Sequence, residues 1–322
     1  MDWFVNIAIF LASCGILYIS GELVVTSLVK LSHFLGLKEF VVAFFVMAFA
    51  SSLPNFFVGI TSAMEGIPQL SLGDVFGNNF TALTLAVAVA VLFSPKKEIQ
   101  IESQTVKSSL IFTICVAILP IILLIDGVLS RADGFILLFL FIIYLGWLFS
   151  KKERFTKKYR EEEPKNWKKI LNESLKNIGK VLLGIILLFI ATQGVVGSAS
   201  FFASSFKISI SLVGLLIVGF GNALPEVYFS IASARKGETF MILGNLLGSI
   251  VIPATVVLGV VALIHPVVIS NASFLLISRL FMIAATLFFL IFVRTHSTIS
   301  KKEAFMLLGL YFLFIVAIIG FL

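Results

Sequence analysis

Ala50-Ser51-Ser52-Leu53-Pro54-Asn55 and Gly221-Asn222-Ala223-Leu224-Pro225-Glu226 stand 171 residues apart, each inside a long apolar run. At that offset residues 42–95 align with 213–266 without a gap. The matches include Phe49/Phe220, Leu53-Pro54/Leu224-Pro225, Ser62-Ala63/Ser233-Ala234, Gly66/Gly237, Leu72-Gly73/Leu243-Gly244, Gly77/Gly248 and Pro95/Pro266. Two unrelated apolar helices would coincide mainly at Leu, Val and Ile. These coincide largely at Gly, Pro and Ser, which points to an internal duplication.

The composition around the repeat is that of a membrane protein. Of 322 residues 59% are hydrophobic and only 13% charged, and mean hydropathy is +1.11. A soluble domain carries about one quarter charged residues, so soluble enzymes, nucleic-acid-binding modules, disordered scaffolds and disulfide-stapled secreted domains do not fit. The net charge of +7 reads as an excess of Lys and Arg in cytoplasmic loops rather than as a nucleic-acid footprint. Cys14 and Cys115 lie in apolar runs, where they behave as small core residues. Met1-Asp2-Trp3 lacks a basic stretch and cleavage site, so the first apolar run reads as a retained span.

A hydrocarbon core takes about 20 apolar residues of helix, and lipid offers a bare backbone no hydrogen bonds, so the spans must be helices. Polar punctuation divides the chain into ten: approximately 3–29, 40–64, 69–93, 108–126, 133–149, 180–205, 210–234, 239–264, 272–293 and 304–322. The long polar stretch 151–169, with nine Lys/Arg and four Glu, follows the fifth. Placing it in the cytoplasm puts 21 of the 24 Lys and Arg inside, all but Arg131, Lys207 and Arg279, as the positive-inside rule requires. Both termini then lie outside, in a plasma (inner) membrane. The expected architecture is an all-α polytopic membrane protein of ten transmembrane helices in two inverted five-helix repeats. Residues 1–149 form the first half with a repeat near 40–93, 150–170 a basic cytoplasmic linker, and 171–322 the second half with a repeat near 210–264. Equivalent elements five spans apart cross in opposite directions, the organisation of secondary transporters with a midplane site.

Each repeat is expected to contain a helix interrupted at its proline-bearing patch. A proline removes one backbone donor, so carbonyls near Ala48 and Gly219 should be freed for a cation. Three acidic residues, Glu22, Asp74 and Glu226, lie inside spans, where an ionisable group marks an ion pathway by default. Glu226 closes the second patch, and its repeat partner is the neutral Asn55. Asp74, in Gly73-Asp74-Val75-Phe76-Gly77-Asn78-Asn79, reads either as a ligand or as a cap where the third span opens. Glu22, with Gln193 at the matching place, reads either as an access residue or as a structural hydrogen-bonding group. Together Ser51, Ser52, Asn55, Asp74, Asn78, Asn222, Glu226 and Ser249 make an all-oxygen set suited to Ca²⁺, Mg²⁺, Na⁺ or H⁺ and not to soft transition metals. No phosphate loop, nucleophile elbow or metalloprotease helix is present, so no enzyme and no cofactor are expected. The expected partners are the lipid bilayer and inorganic cations, with no nucleic acid. The oligomeric state stays open.

Ser51-Ser52-Leu53-Pro54-Asn55, Gly221-Asn222-Ala223-Leu224-Pro225-Glu226 and Gly244-Asn245-Leu246-Leu247-Gly248-Ser249 resemble the paired motifs of the calcium/cation antiporter superfamily, which includes sodium/calcium and cation/proton exchangers. The resemblance covers nearly the whole chain. It implies antiport by alternating access, with Ser51, Ser52, Asn55, Asn78, Asn222, Glu226 and Ser249 on cation-ligand positions and the Ala48 and Gly219 carbonyls on backbone-ligand positions. Three departures stand out: Asn55 replaces the glutamate of the first motif, Asp74 replaces an asparagine, and Ala82 and Pro253 occupy later polar positions. The function expected is export of Ca²⁺ or a related cation in exchange for Na⁺ or H⁺. The lost ligands leave a cation channel or a non-transporting membrane sensor as the alternative.

Overall fold

The computed structural model describes residues 2–34, 49, 52–100, 104–150, 167–237, 239–269, 272–295 and 298–320. Within these, helices follow the apolar runs: α1 (Asp2–Phe34), α2 (Leu53–Met64), α3 (Gln69–Phe93), α4 (Gln104–Leu123), α5 (Arg131–Ser150), α6 (Trp167–Phe206) and α7 (Ile210–Arg235). After them come α8 (Thr239–Ile252, continued by Pro253–Val257 and Leu258–Ile264), α9 (Ala272–Thr295) and α10 (Lys301–Gly320). Among the described residues seven helices are long and apolar enough to cross a membrane, and Leu53–Met64 and Ile111–Asp126 are shorter apolar helices. Large side chains such as Phe4, Ile19, Phe139 and Phe312 cover the outside of the bundle, a surface that suits lipid and not water.

The start of the span expected over 40–64 lies outside the described residues, and α6 begins earlier than expected, at Trp167, inside the stretch read as linker. Lys, Glu, Leu and Asn alternate there without Pro or Gly before Gly179. Lys, Glu and Leu are good helix formers, so the helix starts well before the apolar span that carries it through the membrane.

Positions 171 residues apart also share local geometry. Wide π-helical turns interrupt α3 at Ala82–Ala86 and α8 at Pro253–Val257. Inside them Thr84 Oγ1 donates to the Phe80 carbonyl at 2.5 Å, and Thr255 Oγ1 to the Val251 carbonyl at 2.6 Å, occupying carbonyls at the edge of each irregular turn. Gly66 and Gly237, just after α2 and α7, both take φ +75°, a left-handed conformation open mainly to glycine. Two short antiparallel ribbons bridge the halves: β1 (Glu98–Gln100) pairs with β4 (Thr298–Ser300), and β2 (Val128–Leu129) with β3 (Val267–Val268). The first ribbon follows the C-terminal end of α3. The second lies at its N-terminal end, where Gln69 Nε2 donates to the Val268 carbonyl at 3.0 Å.

Packing falls into two apolar clusters. The larger takes buried side chains from α3, α4, α5, α7, α8, α9 and α10, with α3 and α8 the most enclosed helices. The smaller joins α1 to α6 through Leu17, Val24, Leu188, Val195 and Ala199, and reaches the rest through Val58, Leu70, Val213 and Val218. α1 and α6 lie antiparallel, with Trp3 against Phe206 at one end and Val24 against Gly184 toward the other. Between α2 and α6 the buried Thr61 and Thr192 hydroxyls are 3.0 Å apart. Thr192 already donates to the Phe189 carbonyl, so Thr61 is the donor in that pair.

Candidate cation site

The site is positioned by a backbone-to-backbone approach of α3 and α7. A Cβ on Gly73 would overlap the Ser211 carbonyl, and one on Gly77 the Leu215 carbonyl. From the other side, a Cβ on Gly214 would overlap the Leu70 carbonyl, and one on Gly219 would lie 2.6 Å from the Asp74 carbonyl. Small residues let helix backbones meet in lipid, and here they bring one face of α3 against one face of α7. Asp74 and Asn78 are one turn apart on α3, as Asn222 and Glu226 are on α7.

Asp74 is fully buried. Its Oδ1 accepts a hydrogen bond from Asn222 Nδ2 at 2.9 Å, while its Oδ2 has no partner. Glu226 is 4% exposed, with Oε2 unpartnered, and it stands one turn from Asn222, which bonds Asp74. Asn78, also fully buried, donates from Nδ2 to the Ser249 carbonyl of α8 in a long bond of 3.4 Å, and its Oδ1 is unpartnered. Ser249 Oγ donates to the Leu246 carbonyl at 3.2 Å, which leaves its lone pairs open. Three buried oxygens of Asp74, Asn78 and Glu226 therefore lack donors.

Magnitudes decide what such a site requires. Moving a carboxylate out of water costs several kcal/mol, and a hydrogen bond to a charged group returns roughly 1.5–3 kcal/mol. The Asn222 bond cannot offset one buried charge, still less two. A cation or protons must complete the site. Among the described residues no three His, Cys, Asp or Glu side chains come together, so its charge rests on this carboxylate pair and its remaining donors are amide, hydroxyl and carbonyl oxygens, the chemistry of hard cations.

Several expectations are corrected. Asp74 is not a cap: α3 begins at Gln69 with Pro68 at the cap position, which places Asp74 in the second turn with its side chain turned to α7. The second-repeat helix is not interrupted at its proline patch, since the helix runs unbroken from Gly219 to Arg235 with Pro225 inside it. One missing donor does not dismantle the flanking turns; the departure from α geometry lies upstream, in the π turns of Gly214–Val218. Pro225 removes the donor four residues on from Gly221, so the freed carbonyl is Gly221's and not Gly219's. Gly219 is also a spacer against the Asp74 main chain.

Ser52 and Asn55 are buried at the start of α2, which packs on α3. Ala48 and Ser51 lie outside the described residues. Glu22 and Gln193 are exposed on α1 and α6 and do not join the Asp74–Glu226 group. Asn79 was not anticipated: it is 1% exposed, donates to the Ile250 carbonyl at 3.4 Å and keeps Oδ1 unpartnered. Its repeat partner is the apolar Ile250, so comparing the halves could not mark it.

Known proteins resemble the chain over most of its length. A putative antiporter, CaxA, of Alkalimonas amylolytica is 30% identical over 248 residues, covering 74% of each chain. The sodium/calcium exchanger MaX1 of Methanosarcina acetivorans is 25% identical over 372 residues, covering 98% of each. The fold is that of the sodium-calcium exchanger NCX_Mj, with a TM-score of 0.67 and 24% identity across 97% of this chain and 98% of that one. The family described as sodium/calcium exchanger protein matches residues 5–150 and 176–320. Those two segments flank the basic stretch and contain both patches, and the chain is a multi-pass integral membrane protein that belongs to the sodium/calcium exchanger family.

Proposed function

We propose that the chain is a secondary cation antiporter that moves Ca²⁺ or a related hard cation in exchange for Na⁺ or H⁺ by alternating access, in the direction of export. The observation that carries this reading is the pair of buried carboxylates, Asp74 and Glu226, held on adjoining helices from opposite halves with unpartnered oxygens. Asn78, Asn222 and Ser249 complete the ligand set around them. Ser52 and Asn55 stand buried at the start of α2, which packs on α3, and in this reading Ser51 and the Ala48 and Gly219 carbonyls are further ligands. The reading is supported by relatives named as antiporters and sodium/calcium exchangers.

Ten spans in two inverted halves suit the contacts. Strands can pair only on one side of a membrane, so the β1–β4 and β2–β3 ribbons each require an even number of crossings between their strands, as ten spans with both termini outside provide. The ribbons at opposite ends of α3 then mark the two faces, with the basic loop cytoplasmic. In this scheme the α1–α6 pair, held in its own apolar cluster, slides along the rest and opens the Asp74–Glu226 site to each side in turn.

Titration calorimetry of the purified protein with Na⁺, Ca²⁺ and Mg²⁺ in turn, at two pH values, tests the proposal. Saturable binding of at least one cation that weakens when a second is added is the expected result. No heat with any of them at either pH would contradict it.

A further inference from the structure

The Ser249 carbonyl lacks its i+4 helical donor, because the residue four positions on, whose N–H it would accept, is Pro253. Asn78 supplies the missing donor through Nδ2, at 3.4 Å, and Asn79 reaches the next carbonyl, that of Ile250, at the same distance. A carbonyl oxygen only accepts, so the edge that each amide turns to α8 must be its NH₂. The Oδ1 atoms are thereby turned away from α8, and neither has a partner although both residues are buried. At the repeat position of Pro253 the first half has Ala82, which keeps its N–H, so the device exists on one side only.

We propose that Pro253 is a positioning residue for the cation site. By withdrawing its N–H from the Ser249 carbonyl, it creates the acceptor that anchors the Asn78 amide with Oδ1 presented to the ion. Pro253 does not touch the ion, and its effect passes through Ser249 and Asn78. The inference rests on the cation-site reading above and gives a role to a residue that cannot itself be a side-chain ligand.

Pro253→Ala restores the N–H and closes the helical bond to Ser249, so the Asn78 amide loses its anchor. Four proteins make the test: wild type, Pro253→Ala, Asn78→Leu and the double variant, with Pro253→Ser in the same arm should the alanine variant not accumulate. In thermal unfolding without added cation, Asn78→Leu should lower Tm in the wild-type background, where it strands a buried carbonyl, and much less in the Pro253→Ala background. In calorimetry with the cation the wild type binds, Pro253→Ala should weaken affinity about five- to tenfold. The double variant should be no weaker than Asn78→Leu alone. Equal Tm losses in both backgrounds would overturn the proposal whether or not a cation binds, as would wild-type affinity in Pro253→Ala. A wild type that binds no cation while the Tm losses remain unequal would remove the cation reading and the positioning role with it, leaving only the replacement of a helix donor by Asn78.

Discussion

Glu226→Gln is expected to abolish cation transport while the protein still accumulates and purifies as wild type. The amide keeps the volume of the side chain, and Glu226 Oε2 has no partner to lose. What disappears is one of two charges in an enclosed site, where screening by water is weak and a ligand charge counts most. Counter-flow in vesicles should fall by at least about two orders of magnitude, corresponding to the loss of ~2.7 kcal/mol or more of ion stabilisation. Wild-type flux in this variant would remove Glu226 from the site.

Asp74→Asn should weaken divalent affinity by about tenfold or more, since a charged ligand in such a site is worth at least ~1.4 kcal/mol. The substitution isolates charge from shape: an asparagine oxygen at this position can still accept the hydrogen bond that Asn222 Nδ2 gives to Asp74 Oδ1. Asp74 comes from α3 and so restores, from a neighbouring helix, the first-half carboxylate that Asn55 does not supply. The double variant Asn55→Glu with Asp74→Asn keeps the charge count and returns it to α2, and calorimetry should find its divalent affinity recovered relative to Asp74→Asn. A silent Asp74→Asn together with no recovery in the double variant would leave Glu226 as the only charged ligand and turn the expected substrate toward a monovalent cation or proton.

How much of this could be read from the chain differs by level. The spans were legible because lipid forces each apolar run into a helix, and α3 in particular ends where expected, at Gln69 and Phe93. The matches between residues 42–95 and 213–266 fall on Gly and Pro for backbone reasons: Gly66 and Gly237 share φ +75°, and Gly73 and Gly77 lie against the α7 main chain. Glu226, Asn222 and Asn78 were singled out through that comparison, and the structure puts them on the adjoining α3 and α7. The role of Asp74 stayed open because a carboxylate near the start of a helix can either cap it or face a neighbour, and only the packing of α3 on α7 turns it to Asn222. Asn79 meets a carbonyl of the facing helix α8, and Pro253 is linked to Asn78 through the Ser249 carbonyl of its own helix, relations that exist only once α3 and α8 are packed. The proline patches suggested broken helices because Pro removes a donor, yet a buried helix in contact with its neighbours tolerates one such loss, as α7 does at Pro225.

Obligatory exchange at a site built on Asp74 and Glu226 can be read from isotopic cation efflux out of vesicles reconstituted with the wild-type protein, with and without an exchangeable cation outside. Efflux should be rapid when a counter-cation is present and almost absent into cation-free buffer with the membrane potential clamped. Equal efflux under both conditions would contradict obligatory exchange and identify a channel.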